Sequence, residues 1–424
     1  MLEIVKPSEY RIEPLCQDGF QQGCGGCSLA RFDYEGQLIL KEKQVYDKLT
    51  RLGDLEDPVV CDIIGMDEPF YYRNKAQFPI STGGIITRKG GIMENLGEPA
   101  VGFYKPRSHE VVNCYECMLQ SPAAMAAADA LRQFMEEDNI TAWDERWEKG
   151  LMRHLIVKTA FGTGEVMVIL VINGKGIPNA PKLIEMLDDA IYEAGFNLES
   201  VVINVNKKKT SEIMGDECIL IAGKPTINEV VGDLTFEISP MSFYQVNSVQ
   251  MEKLYDKALE YAALTGTETV LDLYCGIGTI GLYCAKDAGQ IVGIEVVKNA
   301  VIDANRNAVV NGIVNARYIC GKAEEEMPRL LKVTDPSDEI ANAVKSANVV
   351  ILDPPRAGCR QELLDAVVEV APDRIVYISC DPATLARDIK YLGEHGYYFV
   401  EATPVDMFPW TSHVEVVSLL QKVK

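Results

Sequence analysis

Leu271-Asp-Leu-Tyr-Cys-Gly-Ile-Gly-Thr279 is the stretch that decides the fold of this chain. It leaves an apolar strand, passes through closely spaced glycines and enters a helical pattern. Gly276-Ile-Gly-Thr-Ile-Gly281 formally fits the G-x-G-x-x-G fingerprint of a nucleotide-binding turn. Glycines at these places permit a tight turn and a close approach of backbone to ligand. Working outward, strands are expected at 269–273, 291–295, 316–320, 348–352, 374–378 and 414–420. Helical patterns fill the gaps, for example at 298–311 and 361–371. Strands and helices that alternate through short connections make a doubly wound α/β sheet. Residues 334–346 read as polar and irregular, either a surface loop or a helix edge.

The first 240 or so residues have a different texture. Turn signals crowd the stretch 81–102, and short β-like runs recur at 155–159 and 166–171. An α+β domain with a mostly antiparallel sheet is expected at 1–235, followed by the nucleotide domain at 236–424. A helix is expected at about 38–52, within a segment of about 30–53 that docks on the second domain. With 424 residues, more than one core is required. The longest apolar run, 166–172, is too short to span a bilayer. Met1-Leu-Glu-Ile-Val-Lys-Pro lacks a basic region followed by an apolar one, so no secretion is expected. Twelve cysteines in such a chain read as thiols, metal ligands and a nucleophile in the cytoplasm. The net charge of −21, from 41 basic and 62 acidic residues, argues against indiscriminate polyanion binding. A nucleic-acid substrate stays possible because the relevant field is local. Basic residues gather at Arg73 and Lys75, Arg88 and Lys89, Lys105 and Arg107, and Lys207 to Lys209. Any single one of these is more simply a set of solvated loop charges.

Three constellations carry chemistry. Glu295 ends the strand after the glycine turn, where a carboxylate can grip ribose hydroxyls. The glycine pattern alone fits NAD and S-adenosylmethionine equally. Asp353-Pro-Pro-Arg356 and a strand-end thiol tip the balance to the methyl donor, since hydride transfer has no use for that thiol. Cys380, in Arg374-Ile-Val-Tyr-Ile-Ser-Cys-Asp-Pro, stands at the sheet edge where ligands bind. A helix N-terminus just beyond it is expected to lower its pKa. Arg356 replaces the aromatic that an amine methyltransferase would stack on its base. A carbon target needs another strategy: C5 of uracil is a poor nucleophile until a thiolate adds to C6. Glu415 follows in His413-Val-Glu-Val-Val. The third constellation is Cys24-Gly-Gly-Cys27 with Cys16 before it and Cys114-Tyr-Glu-Cys117 farther on. Four thiolates suit zinc or an iron–sulfur cluster, and the spacing is not the tight run of radical enzymes.

Taken with Gly102-Phe-Tyr-Lys-Pro-Arg-Ser-His-Glu, Arg153-His154, Ile238-Ser-Pro-Met-Ser-Phe-Tyr-Gln-Val-Asn247, Asp353-Pro-Pro-Arg-Ala-Gly, Ser379-Cys-Asp-Pro and Val405-Asp-Met-Phe-Pro, these motifs resemble the RNA (uracil-5-)-methyltransferase family over nearly the whole chain. The resemblance implies a Rossmann-like class I methyltransferase domain behind an α+β domain that holds a [4Fe-4S] cluster. It implies Cys380 as nucleophile and Glu415 as the base that removes the C5 proton. Gln245, Tyr274, Glu295 and Asp353, with Gly276, Gly278 and Thr279 of the turn, fall at S-adenosylmethionine; Phe243 and Asp353 fall at the target base. Cys16, Cys24, Cys27 and Cys117 fall at the cluster ligands, although more residues separate Cys16 from Cys24 than is usual. No room is seen for an N-terminal TRAM barrel. The expected substrate is therefore 23S rRNA, with tRNA the alternative. A non-catalytic RNA-binding protein that retains the cofactor fold is the rival from another class. Trp410 stands where a histidine is common and reads either as a stacking surface or as core packing.

Overall fold

The computed structural model describes residues 6–82, 86–89, 92–95, 99–145 and 148–423. The first five residues, on which the leader was judged, and the side chains of Arg88 and Lys89 lie outside that description. The chain divides into two compact units. The first comprises Met1–Asp33, Glu68–Val230 and Ile238–Pro240; the second comprises Tyr34–Asp67, Val231–Glu237 and Met241–Lys424. The division is discontinuous, whereas the sequence reading drew one boundary at 235.

In the first unit a seven-stranded sheet runs in the order Val111–Asn113, Pro99–Tyr104, Lys75–Thr82, Met152–Thr159, Glu165–Ile172, Asn197–Val205, Glu217–Gly223. Every neighbouring pair is antiparallel except Glu165–Ile172 with Asn197–Val205. That parallel pair needs a crossover, which the helix Ala180–Glu193 supplies. A second helix, Pro122–Glu137, starts where Ser121 Oγ accepts the Ala124 N–H and proline takes the first turn. Its alanines and Leu131, Phe134 and Met135 pack with Phe78, Leu155 and Val168 of the sheet. The mostly antiparallel α+β architecture expected for this region is what the structure shows.

The second unit holds another seven-stranded sheet, ordered Ala316–Cys320, Gln290–Glu295, Thr269–Leu273, Val349–Leu352, Arg374–Ser379, Glu415–Lys422, Tyr397–Val405. The first five strands are parallel and the last two antiparallel to their neighbours. Parallel strands covered on both faces are apolar throughout, and Val349–Leu352 is buried at every position. Strand order reverses at Thr269–Leu273, so the loops on either side part there and open a crevice. The helix Tyr34–Leu52 belongs to this unit and buries Val45 and Leu49 in the same core as Leu363 and Leu385. Two details differ from the sequence reading. Residues 339–345 form a helix, Glu339–Lys345, because Asp338 caps it by accepting the Ala341 N–H. The strand Tyr397–Val405 was not among those expected. Among the described residues, no helix is long and apolar enough to cross a membrane.

Candidate active site

The glycine turn shapes the floor of the crevice. Tyr274 (φ +66°), Gly276 (φ +55°) and Gly278 (φ +80°) all occupy the left-handed region. A side chain there is strained, and such strain collects at binding sites. Gly278 serves as N-cap of the helix Thr279–Cys284, and a Cβ on it would stand 2.6 Å from Tyr318 Oη. Glu295 Oε2 accepts the Gly276 N–H at 3.1 Å and Oε1 the Val297 N–H at 2.8 Å, so its carboxylate is aimed before any ligand arrives. Beneath the turn, Asp272 Oδ2 accepts the Gly281 N–H at 2.9 Å, while burial pushes this carboxyl up to about 7.

Sheet register brings the reactive groups together. Ser379 pairs with Val416 across two antiparallel strands. One residue beyond that pair on one strand, and one before it on the other, stand Cys380 and Glu415. Asp353 follows the neighbouring parallel strand directly. A cavity of about 760 Å³ is lined by Phe243, Gln245, Tyr274, Gly276, Thr279, Glu295, Asp353, Cys380 and Glu415. Of the residues expected around cofactor and base, only Gly278 is not part of the lining; it holds the turn from below. Phe243 keeps 65 % of its surface exposed, a large aromatic face left open at the cavity. Sequence reasoning missed Tyr255, Phe408, Lys322 and Arg360, which also line the cavity. Tyr255 had no sequence signal, because its place depends on how the helix Ser248–Ala262 packs; its hydroxyl meets Thr279 Oγ1 at 2.7 Å. Arg356 was noticed only as a missing aromatic, and it lines the same cavity.

The electrostatics correct one expectation. The Cys380 pKa is pushed up to about 11, first by burial and then by Glu415; Arg356 pulls the other way, and Asp353 adds a smaller push. The helix beyond it, Pro382–Glu394, does begin there, but Asp381 caps it and accepts the Ala383 and Thr384 N–H groups. An anion already sits on the helix terminus that was expected to stabilise the thiolate. Glu415 is 5 % exposed, and burial with Asp353 nearby raises its pKa well above the usual carboxylate range. Burial likewise lifts Asp353 to about 7. In the free protein at neutral pH the thiol is protonated, Asp353 is near its midpoint and Glu415 is held toward its protonated form. Trp410 resolves to packing: it is 6 % exposed, its ring lies 6.3 Å from that of Tyr34, and its backbone N–H donates to Gln37 Oε1.

The cysteine constellation lies in the first unit. Burial raises Cys24 and Cys27, the latter to about 12, and Cys16 and Cys117 oppose the ionisation of both. Cys117 goes the other way, to about 6, because Cys114 donates to it and the Leu119 and Gln120 N–H groups face it. Four thiols that feel one another make a donor set suited to a soft metal. Their side chains are nevertheless not in a ligating arrangement: among the described residues, no group of three or more His, Cys, Asp or Glu is placed to hold a metal ion. Part of the basic charge of this unit's loop clusters is paired within it, Lys105 with Glu110, Lys208 with Glu212 and Asp216, and Lys209 with Glu148.

Comparison with known proteins narrows what this crevice serves. Residues 133–423 match the family model described as tRNA (uracil-5-)-methyltransferase. The chain belongs to this family. It is 46 % identical, over its whole length and 87 % of the relative's, to an uncharacterized RNA methyltransferase of Caldanaerobacter subterraneus subsp. tengcongensis. An uncharacterized RNA methyltransferase of Halalkalibacterium halodurans is 42 % identical over 99 % of this chain and 86 % of the relative. The crystal structure of Pyrococcus abyssi tRNA (uracil-54, C5)-methyltransferase in complex with S-adenosyl-L-homocysteine superposes with a TM-score of 0.73 at 28 % identity, covering 99 % of this chain and 88 % of that one. The protein is thus an S-adenosylmethionine-dependent RNA methyltransferase of the uracil-5 type, and the NAD and non-catalytic readings fall away.

Proposed function

We propose that this uracil-5 methyltransferase acts through a covalent link between Cys380 and C6 of a uridine drawn out of its RNA stack. The observation that carries the reading is the register that sets Cys380 beside Glu415 at one edge of a cavity also lined by Asp353 and Phe243. Phe243 offers its open face to the extruded base, whose exposure is the general requirement for chemistry on a nucleobase. Asp353 holds the base by hydrogen bonding. Gln245, Tyr274, Glu295 and the turn hold S-adenosylmethionine, which supplies the methyl group. Cys380 releases its thiol proton to solvent and its sulfur bonds to C6, which makes C5 nucleophilic. Once C5 has taken the methyl group, Glu415 accepts the C5 proton and the C6–S bond breaks, returning the electron pair to sulfur. The environment that raises the Glu415 pKa makes its carboxylate, once ionised, a strong proton acceptor.

Cys380→Ala is expected to abolish methylation while leaving S-adenosylmethionine affinity unchanged; retained methylation would refute the nucleophile. For the substrate we propose 23S rRNA, and tRNA stands beside it because the Pyrococcus abyssi neighbour is by its name a tRNA enzyme. Gene deletion followed by quantification of 5-methyluridine in separately purified 23S rRNA and tRNA decides between them. We further propose that Cys16, Cys24, Cys27 and Cys117 take up a [4Fe-4S] cluster that ties the amino-terminal segment into its unit. No step of methyl transfer passes through it.

A further inference from the structure

The segment from Asp406 to His413, which joins the last two strands, delivers Phe408, His413 and then Glu415 to the cavity. It is not held by its own strands alone. Lys41, in the middle of the helix Tyr34–Leu52, donates to Asp406 Oδ1 at 2.6 Å and to the Phe408 carbonyl at 3.0 Å. Both charged side chains are fully buried. Gln37, one turn earlier, accepts the Trp410 backbone N–H at 2.8 Å, and Gln250 donates to the Asp406 carbonyl at 3.2 Å. Trp410 meanwhile keeps a left-handed backbone (φ +68°), a strained conformation that persists only where its surroundings enforce it. Asp406 Oδ2 is buried with no hydrogen-bond partner among the described residues, so this carboxylate depends on Lys41 for its charge balance.

We infer that Lys41 is a positioning residue for methyl transfer: its buried pair with Asp406 and its bond to the Phe408 carbonyl fix the segment that aims Glu415 and Phe408 at the base. Through the Phe408 carbonyl, Lys41 bonds directly to the backbone of a cavity-lining residue. A pair buried at zero exposure also tolerates no slack, and a misplacement of about 1 Å at a reacting group costs on the order of 100-fold in rate. The inference rests on the assignment of Cys380 and Glu415 given above.

The test compares Lys41→Met, the double variant Lys41→Met/Asp406→Asn and Lys41→Arg with the wild-type protein. Each is assayed for single-turnover methyl transfer to total RNA from cells that lack the gene. Lys41→Met strands a buried charge and is expected to lose folded protein. The double variant removes that charge, and so is expected to recover the melting temperature and bind S-adenosylmethionine like wild type. Its methyl transfer is nevertheless expected to remain on the order of 100-fold slow, with the RNA KM little changed and Lys41→Arg restoring much of the rate. A double variant that regains both melting temperature and full rate would show the pair to be structural only and would overturn the inference. Methyl transfer by Cys380→Ala in the same assay would strike instead at the nucleophile assignment on which the inference rests.

Discussion

Cys380 and Glu415 compete for the right to be charged in the same small volume, and burial penalises both. In the free protein the thiol is expected to react slowly at neutral pH. Alkylation of Cys380, followed by peptide mass spectrometry, should accelerate roughly tenfold per pH unit between 7 and 10 and level near the pKa of about 11. A plateau near pH 7 would show a thiolate already formed. Asp353, at about 7, and Glu415, raised well above the usual carboxylate range, also couple cofactor binding to pH. A cationic sulfonium favours their ionised forms, so its binding releases protons, and affinity rises as pH increases from about 6 to 8. Calorimetry in buffers of different ionisation enthalpy should find this release for S-adenosylmethionine and much less for S-adenosylhomocysteine, whose sulfur is a neutral thioether. Equal release for both would mean that the buried acids do not sense the sulfonium. At this scale the sequence announced its chemistry where a reactive type stood at a strand end, as with Cys380, Asp353 and Glu415. It could not announce Tyr255 or Lys41, because their roles come from which helix packs on which loop. It misjudged the charge state of Cys380 because the burial of the thiol and the closeness of Glu415, the two effects that raise its pKa most, arise only once the strands pair.

Among the elements, the glycine turn carries the most specific constraint. Gly278→Ala places a Cβ in the left-handed region, which costs about 1–2 kcal/mol, and drives it to 2.6 Å from Tyr318 Oη, a side chain enclosed by the sheet edge. The variant is expected to lower both the melting temperature and the affinity for S-adenosylmethionine. A variant with unchanged thermal melting and unchanged binding would show that the turn relaxes freely. The parallel strands were legible because buried parallel strands read as unbroken apolar runs. Tyr397–Val405 escaped notice because the segment opens with aromatic and charged residues, Tyr397-Tyr-Phe-Val-Glu401, and its five buried positions, Tyr397 and the four from Ala402 to Val405, do not alternate. The helix Glu339–Lys345 escaped because it is short, and its apolar face of Ile340, Ala341 and Val344 is flanked by the polar Asp335-Pro-Ser-Asp338 and Lys345-Ser.

On the scale of the whole molecule, the family could be read from combined motifs spread over both units, none of them decisive alone. The cysteine constellation is the part least determined by the fold. Anaerobically purified protein is expected to carry iron and acid-labile sulfide in equal amounts, with visible absorbance from thiolate-to-iron charge transfer; zinc alone would contradict the proposed cluster. Net charge of −21 gives no hint of an RNA substrate, which is why composition could only exclude indiscriminate binding. The central claim is the covalent one, and it is tested most directly by Glu415→Gln incubated with S-adenosylmethionine and total RNA from cells that lack the gene, then separated under denaturing conditions. The account predicts a protein–RNA adduct that survives denaturation, maps to Cys380 by mass spectrometry and vanishes in Cys380→Ala/Glu415→Gln. Normal turnover with no adduct, or an adduct that persists without Cys380, would contradict it.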